Sequence, residues 1–450
     1  MRRKSRIGFI SLGCPKNQVD TEVMLAEVAS AGYEITPEDS EADIIIVNTC
    51  AFIESAKRES IDEILDVAWL KKNANLKGII VTGCLAERYR EQIFEELPEV
   101  DAVLGVGGLH HIVDAIRSVE EKKRFSNYDC IGEMAMGGDR VVTTPGYLAY
   151  LKIAEGCSNR CTYCAIPMIR GALRSRPIEN LVREAKEMEA LGTRELVLVA
   201  QDTSSYGIDL YGSYRLPELI RAITEQTQIP WIRVLYCYPD KISDELIAEF
   251  RDNPRLVRYL DLPIQHTVDR ILRKMNRHGG SDVIFDAVRR LRSVPGMILR
   301  STCIVGFPGE TEADFTQLCE DLKKLDFDRL GVFPYSREED TPAFDFPDQV
   351  DPQVAQDRAD LLMGEQAERN RSRLEKQTGS VVTVLNEAYD PVSGMYFGRT
   401  YADAYEIDGK VFYSVPSGKR KIAEGEFVRV KITDCMGDYD LIGEIDGASL

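Results

Sequence analysis

"YLKIAEGCSNRCTYCAIPMIRG", Tyr150–Gly171, is a short apolar strand that runs into a loop carrying three cysteines. Cys157, Cys161 and Cys164 are spaced C-x3-C-x2-C. A structural zinc or an iron–sulfur cluster ordinarily takes four protein ligands. This loop offers three, all within eight residues.

The residues after the loop decide the fold. Helix-like "IENLVREAKEMEALG" leads to strand-like "ELVLVAQDT". The alternation continues through "LPELIRAITEQ", "WIRVLYCYPD", "SDELIAEFRDN", "YLDLPIQH", "SDVIFDAVRRLRSV", "MILRSTCIVGFPGE", "EADFTQLCEDLKKL" and "RLGVFPYS". About six β/α units predict an open or partial barrel, with its active site at the carboxyl ends of the strands. The cysteine loop follows the first strand at that end. Gln201, Asp202, Tyr238, Gln265, His266 and Tyr335 follow later strands at the same end.

The N-terminal segment has its own β-α-β-α-β rhythm. "RIGFISLGC", "ADIIIVNTC" and "KGIIVTGC" read as strands, and the helical stretches between them predict a doubly wound parallel sheet covered on both faces. Each strand ends in a cysteine: Cys14, Cys50 and Cys84. Ligands of open α/β sheets bind beyond these ends, so three distant cysteines should meet at one edge. A single cysteine there would read as a small buried hydrophobe. The adjacent His110 and His111 would point about 100° apart on a helix and make poor joint ligands. The polar stretch from about Glu120 to Gly146 reads as a linker. After the charged helix "PQVAQDRADLLMGEQAERNRSRLEKQTG", short alternating strands from Ser380 onward are separated by turns at Gly394, Asp408–Gly409 and Gly418. They predict a small antiparallel β-barrel.

Bulk composition narrows the class. The 450 residues suggest about three domains. There is no apolar run long enough to cross a membrane. The N-terminal "MRRKSRIGFISLGC" reads as a first strand and not a signal peptide, so a cytoplasmic protein is expected. Eleven cysteines in such a chain point to metal or catalysis rather than disulfides. Cys130, Cys237, Cys303, Cys319 and Cys435 have no partner spacing and read as structural. A net charge of −18 is poor for gripping a phosphate backbone and suits a basic partner or simple solubility.

Three ligands leave something open. A [4Fe–4S] cluster bound by three thiolates keeps one iron free for a small molecule. A catalytic zinc also keeps an open position, but zinc ligands usually come as distant pairs. The crowded loop suits a cube better than one ion.

With Tyr163 before its last cysteine and a (β/α)6 pattern after it, the loop resembles the radical S-adenosylmethionine signature. That resemblance implies a [4Fe–4S] cluster on Cys157, Cys161 and Cys164. Its open iron would chelate the amino and carboxylate groups of S-adenosylmethionine, and reduction would then yield a 5′-deoxyadenosyl radical. "SLGCPKN", "VNTCAFI" and "VTGC" resemble the N-terminal cluster domain of methylthiotransferases, and the last segment resembles their TRAM domain. The likeness covers essentially the whole chain. It implies a cluster domain over 1–135, a radical S-adenosylmethionine core over 143–376 and a TRAM domain over 378–450. It also implies a second [4Fe–4S] cluster on Cys14, Cys50 and Cys84, whose open iron carries the sulfur to be inserted. Contacts to S-adenosylmethionine are implied for Tyr163, Gln201, Asp202, Gln265 and Gly306. For "AQDT" and "PIQH", a plain turn or capping role stays equally open. The resemblance does not identify the residues that orient the target.

Two branches of the family differ in target. One modifies an adenosine of transfer RNA, and tends to have Gln-Met after the first cysteine. The other modifies an aspartate of the small-subunit ribosomal protein twelve. "SLGCPKN", "NTCAFIESAKRES", "YSREEDTPA", "DAYEIDG" and "YDLIGE" resemble the second branch. From Ser380 to Leu450 there are twelve acidic and seven basic residues, a net −5. A barrel that grips tRNA should be basic, whereas an acidic one favours a basic ribosomal protein. The expected partners are therefore that ribosomal protein and an electron donor, with neither membrane nor tRNA as target.

Overall fold

The computed structural model describes residues 4–133, 136–416 and 420–447. The boundary placed at residue 135 and the turn at Gly418 lie outside the described residues. The N-terminal sheet has six strands: β1 (Arg6–Ser11), β2 (Glu34–Ile35), β3 (Ile44–Thr49), β4 (Gly78–Gly83), β5 (Ala102–Leu104) and β6 (Phe125–Asn127). They are all parallel, in the order β2-β1-β3-β4-β5-β6. Every residue of β3 and β4 is buried, which is why those two runs are continuously apolar. The sequence shows three of these strands. The others have two or three residues, too few to display a period, and β6 lies inside the stretch read as a linker.

The central sheet is built from β7 (Leu148–Lys152), β10 (Glu195–Val199), β11 (Trp231–Val234), β12 (Leu256–Asp261), β13 (Ile298–Val305) and β14 (Arg329–Pro334). These are parallel and neighbour one another in chain order, as a partial (β/α)6 barrel requires. Two short strands, β8 (Ala154–Glu155) and β9 (Arg174–Ser175), pair antiparallel and frame the cysteine loop. The outer face of the sheet is covered by helices such as Ile178–Ala190 and Leu216–Gln226, whose Leu181, Ala185, Leu219 and Ile223 are fully buried.

Strands β15 (Val381–Asp390), β16 (Met395–Arg399), β17 (Val411–Ser414), β18 (Phe427–Met436) and β19 (Asp440–Ile445) close into a five-stranded barrel. The antiparallel expectation needs one correction. β17 and β19 pair in parallel, because the chain crosses by way of β18 before closing.

This barrel docks on the residues that begin the central strands, away from the cysteine loop. Glu195, at the start of β10, accepts from Arg233 Nε at 2.6 Å and from Arg399 Nη2 at 2.7 Å. All three side chains are 0% exposed. Arg399 also pairs with Glu387, Tyr259 donates to Asp408 at 2.7 Å, and Arg329 pairs with Asp403 at 2.7 Å. The "DAYEIDG" stretch therefore plugs the lower end of the partial barrel with charges that the barrel itself satisfies. Breaking such a pair leaves a buried charge uncompensated, at a cost of about 3 kcal/mol or more. Glu195→Gln is expected to lose about that much in denaturant unfolding. An unchanged midpoint would show that these charges do not hold the two domains together.

Candidate active site

Cys14, Cys50 and Cys84 come together at the carboxyl edge of β1, β3 and β4. Gly13 permits this. Its φ is +89°, and a Cβ there would lie 2.8 Å from Cys50 Cβ. Gly83, at φ +90°, would overlap the Asn48 amide oxygen if it carried a side chain. Cys14 caps the helix Pro15–Ser30, with Pro15 at its first turn, and Cys84 opens the helix Cys84–Tyr89. Cys50 is fixed through its backbone, which exchanges hydrogen bonds with the Ser60 hydroxyl at 3.0 and 2.9 Å. Burial pushes the Cys50 thiol up to about 12, and the neighbouring Cys84 and Cys14 add to the effect. Burial also raises Cys84, against the opposing charge of Arg170.

The second set sits in the loop after β8. Gly156, at φ +75°, lets the loop backbone press against Ala172, and Cys157 N–H donates to Gly171 O at 3.0 Å. Asn159 Nδ2 lies 3.4 Å from Cys157 Sγ and donates to Asp202 at 2.7 Å. Tyr238 OH lies 3.6 Å from Cys161 Sγ, and the Arg277 guanidinium stacks 3.9 Å over the Tyr238 ring. Burial raises the Cys164 thiol, reinforced by Cys161 and Cys157. Thr162 is tied on one side to Met275 O at 3.0 Å and on the other to Ala343 N at 2.9 Å.

The residues singled out beside this loop have distinct surroundings. Tyr163 packs into an apolar cluster with Phe307, Tyr335 and Phe346. Asp202 caps the turn Thr203–Ser205 and also accepts from Asn159, Lys241, Ser204 and Ser205, so its oxygens are occupied by the protein. Gln201 donates to Glu155 at 2.6 Å, while its Oε1 is buried without a partner. Gln265 sits at φ +70° beside β13, and its Oε1 is likewise unpartnered. The close approach at Gly306, also at φ +70°, is to Ala355 of the helix Pro352–Glu375.

Residues that sequence reasoning did not single out link the end of the second cysteine loop to the first set across the domain interface. Arg170 ends the helix Ile166–Arg170, directly after the second set. Its Nη1 donates to Asp20 at 2.6 Å and to Glu155 at 3.3 Å. Its Nη2 donates to Asn17 Oδ1 at 2.9 Å and lies 3.3 Å from Cys84 Sγ. Lys152 joins the same network, pairing with Asp20 and, at 2.8 Å, with Glu155. Burial opposes ionisation of Glu155, but Lys152 and Arg170 outweigh it and hold the carboxyl well below its usual range. Lys16 reaches from the first set into the barrel mouth, its Nζ 3.9 Å from the centre of the Tyr236 ring. No local pattern announces these partners, since Arg170 and Asp20 are 150 residues apart.

Comparison with known proteins decides the family. Residues 6–105 match the model described as uncharacterized protein family UPF0004, residues 151–322 the radical SAM superfamily, and residues 378–445 the TRAM domain. The chain is 46% identical over 439 residues to the ribosomal protein uS12 methylthiotransferase RimO of Thermoanaerobacter sp. (strain X514), covering 97% of this chain and 99% of that one. The chain belongs to the ribosomal protein uS12 methylthiotransferase family. Its relative of that name from Acetivibrio thermocellus is 47% identical over 455 residues, with 98% of each chain covered. Among solved structures, the radical S-adenosylmethionine methyltransferase TsrM of Kitasatospora setae, with cobalamin and a [4Fe–4S] cluster bound, superposes with a TM-score of 0.56. At 14% identity over 76% of this chain and 77% of that one, it shows the shared fold.

The donor sets have the chemistry that an iron–sulfur cluster takes. Each offers three soft thiols and no fourth cysteine. Among the described residues, no three His, Cys, Asp or Glu side chains converge on a single ion. Gln201 and Gln265, both at carboxyl ends of the central strands, each keep a buried Oε1 without a hydrogen-bond partner. Among the described residues no helix is long and apolar enough to cross a membrane. Replacing Arg170 with Met should loosen the interface. Asp20 would keep only Lys152 and Glu155 only Lys152 and Gln201, and amide exchange in the helix Pro15–Ser30 should accelerate at least tenfold. Unchanged exchange would mean that apolar packing alone docks the domains.

Proposed function

We propose that this chain is a radical S-adenosylmethionine methylthiotransferase that replaces a β-carbon hydrogen of an aspartate in ribosomal protein uS12 with a methylthio group. The observation that carries this reading is that Arg170, six residues after the second cysteine set, reaches Cys84 of the first set, in a chain whose relatives are named for that activity. On this reading Cys157, Cys161 and Cys164 hold one [4Fe–4S] cluster, and Cys14, Cys50 and Cys84 hold a second. The clusters, when bound, supply reductive cleavage of S-adenosylmethionine at one site and a sulfur for insertion at the other. The chain's own residues position the parts. Tyr163 and the Phe307 cluster form an apolar wall, and the Gln201 and Gln265 oxygens accept from the cofactor. Asp202 acts through Asn159, which holds the Cys157 thiol in place.

The same reading assigns 1–135, 143–376 and 378–450 to the cluster domain, the radical core and the TRAM domain. It puts the enzyme in the cytoplasm, served by an electron donor, with tRNA not a substrate. Its acidic TRAM barrel suits a basic ribosomal protein better than an anionic nucleic acid.

Anaerobic reconstitution tests the two sites separately. A Cys157/Cys161/Cys164 triple Ala variant should lose about half the iron and all 5′-deoxyadenosine formation. A Cys14/Cys50/Cys84 triple Ala variant should keep S-adenosylmethionine cleavage but form no methylthio-aspartate in uS12 by mass spectrometry. Loss of both clusters in either folded variant would contradict two independent sites. Methylthio-adenosine in tRNA, with unmodified uS12, would assign the chain to the other target.

A further inference from the structure

Lys16 is a largely buried lysine that the protein leaves without a carboxylate. It is 9% exposed, and among the described residues no Asp or Glu lies within ion-pair distance of it. The nearby acids are already taken. Asp20 is shared by Lys152 and Arg170, and Glu155 is shared by Lys152, Arg170 and Gln201. The Lys16 Nζ rests instead against the face of Tyr236. Cation–π attraction recovers only part of the cost of taking an ammonium out of water. Lys152, Arg170 and Arg140, also buried at this interface, each have two carboxylate partners.

Lys16 stands between the first cysteine set and the mouth of the central barrel. Pro15 fixes the first turn of the helix Pro15–Ser30, so Lys16 leaves the backbone two residues after Cys14. Its head lies over Tyr236, just past the end of β11, on the barrel side of the interface. Tyr236 holds a left-handed backbone at φ +63°, a costly conformation for a non-glycine residue and one that clusters at functional sites. The Tyr236 ring and the Lys16 head thus stand together between the first cysteine set and the barrel mouth.

We infer that Lys16 binds the side-chain carboxylate of the target aspartate and makes the enzyme discriminate aspartate from asparagine. The inference rests on the reading of the chain as a uS12 aspartate methylthiotransferase. A substrate carboxylate supplies the anion that the fold withholds from Lys16. It also fixes the adjacent β-carbon between the two cysteine sets. An amide at that position leaves the ammonium uncompensated, the usual origin of strong discrimination against an isostere.

The measurement is the dissociation constant of anaerobically reconstituted enzyme with full-length uS12 carrying either aspartate or asparagine at the modified position. The wild type should prefer aspartate about tenfold or more. Lys16→Met should bring the ratio near one by weakening only the aspartate form, and Lys16→Arg should retain most of it. Unchanged iron content and circular dichroism identify folded variants. A preserved ratio in Lys16→Met, or equal weakening of both forms, would overturn the assignment. A wild type that neither binds nor modifies uS12 would remove the functional reading and this inference together, whereas tight binding without preference removes only this inference.

Discussion

The Arg170 guanidinium is the constraint on which the site depends. It is buried between two domains, and each of its terminal nitrogens is aimed at a group on the other side or at the root of its own loop. A buried charge tolerates little error in its surroundings, because losing one partner costs several kcal/mol. The N-terminal sheet can therefore dock on the partial barrel in one register, with Asp20 and Asn17 against Arg170. That register sets Cys84 beside the end of the second cysteine loop. Lys152 and Glu155 extend the same lock into the barrel wall, and the linker adds to it through Arg140, whose side chain lies between Glu22 and Glu184.

The opposite end of the barrel is closed by a second lock of the same kind. Glu195 between Arg233 and Arg399 holds the C-terminal barrel against the beginnings of the central strands. Part of the acidity of that barrel is consequently satisfied inside the molecule, at Glu387, Asp403 and Asp408. Other acidic groups, such as Asp434 and Glu444, face solvent and are the ones that a basic partner would meet.

Much of this was legible in the sequence wherever a pattern is local. The buried strands β3 and β4 announce themselves as apolar runs, the β/α units by alternating periods, and the cysteines by their place after strands and glycine turns. The glycines at 13 and 83 read as turn signals because only a residue without Cβ fits there. Strands of two or three residues carry no period, so β2, β5 and β6 were invisible. The parallel β17–β19 pairing was hidden because closure depends on a crossover and not on any single strand. The Arg170 and Lys16 surroundings were hidden for a different reason. They join side chains from separate domains, and one sequence holds no record of which charges meet. Asp202 shows the middle case: its place after a strand is legible in the sequence, while the four residues that donate to it are visible only in the structure.

The most direct measurement is electron paramagnetic resonance on the anaerobically reconstituted, fully reduced protein. If clusters occupy both cysteine sets across the Arg170 interface, their spectrum should show through-space spin coupling that vanishes when either set is replaced by alanine. Two clusters whose signals simply add, with no coupling in the intact protein, would contradict a site shared between the two domains.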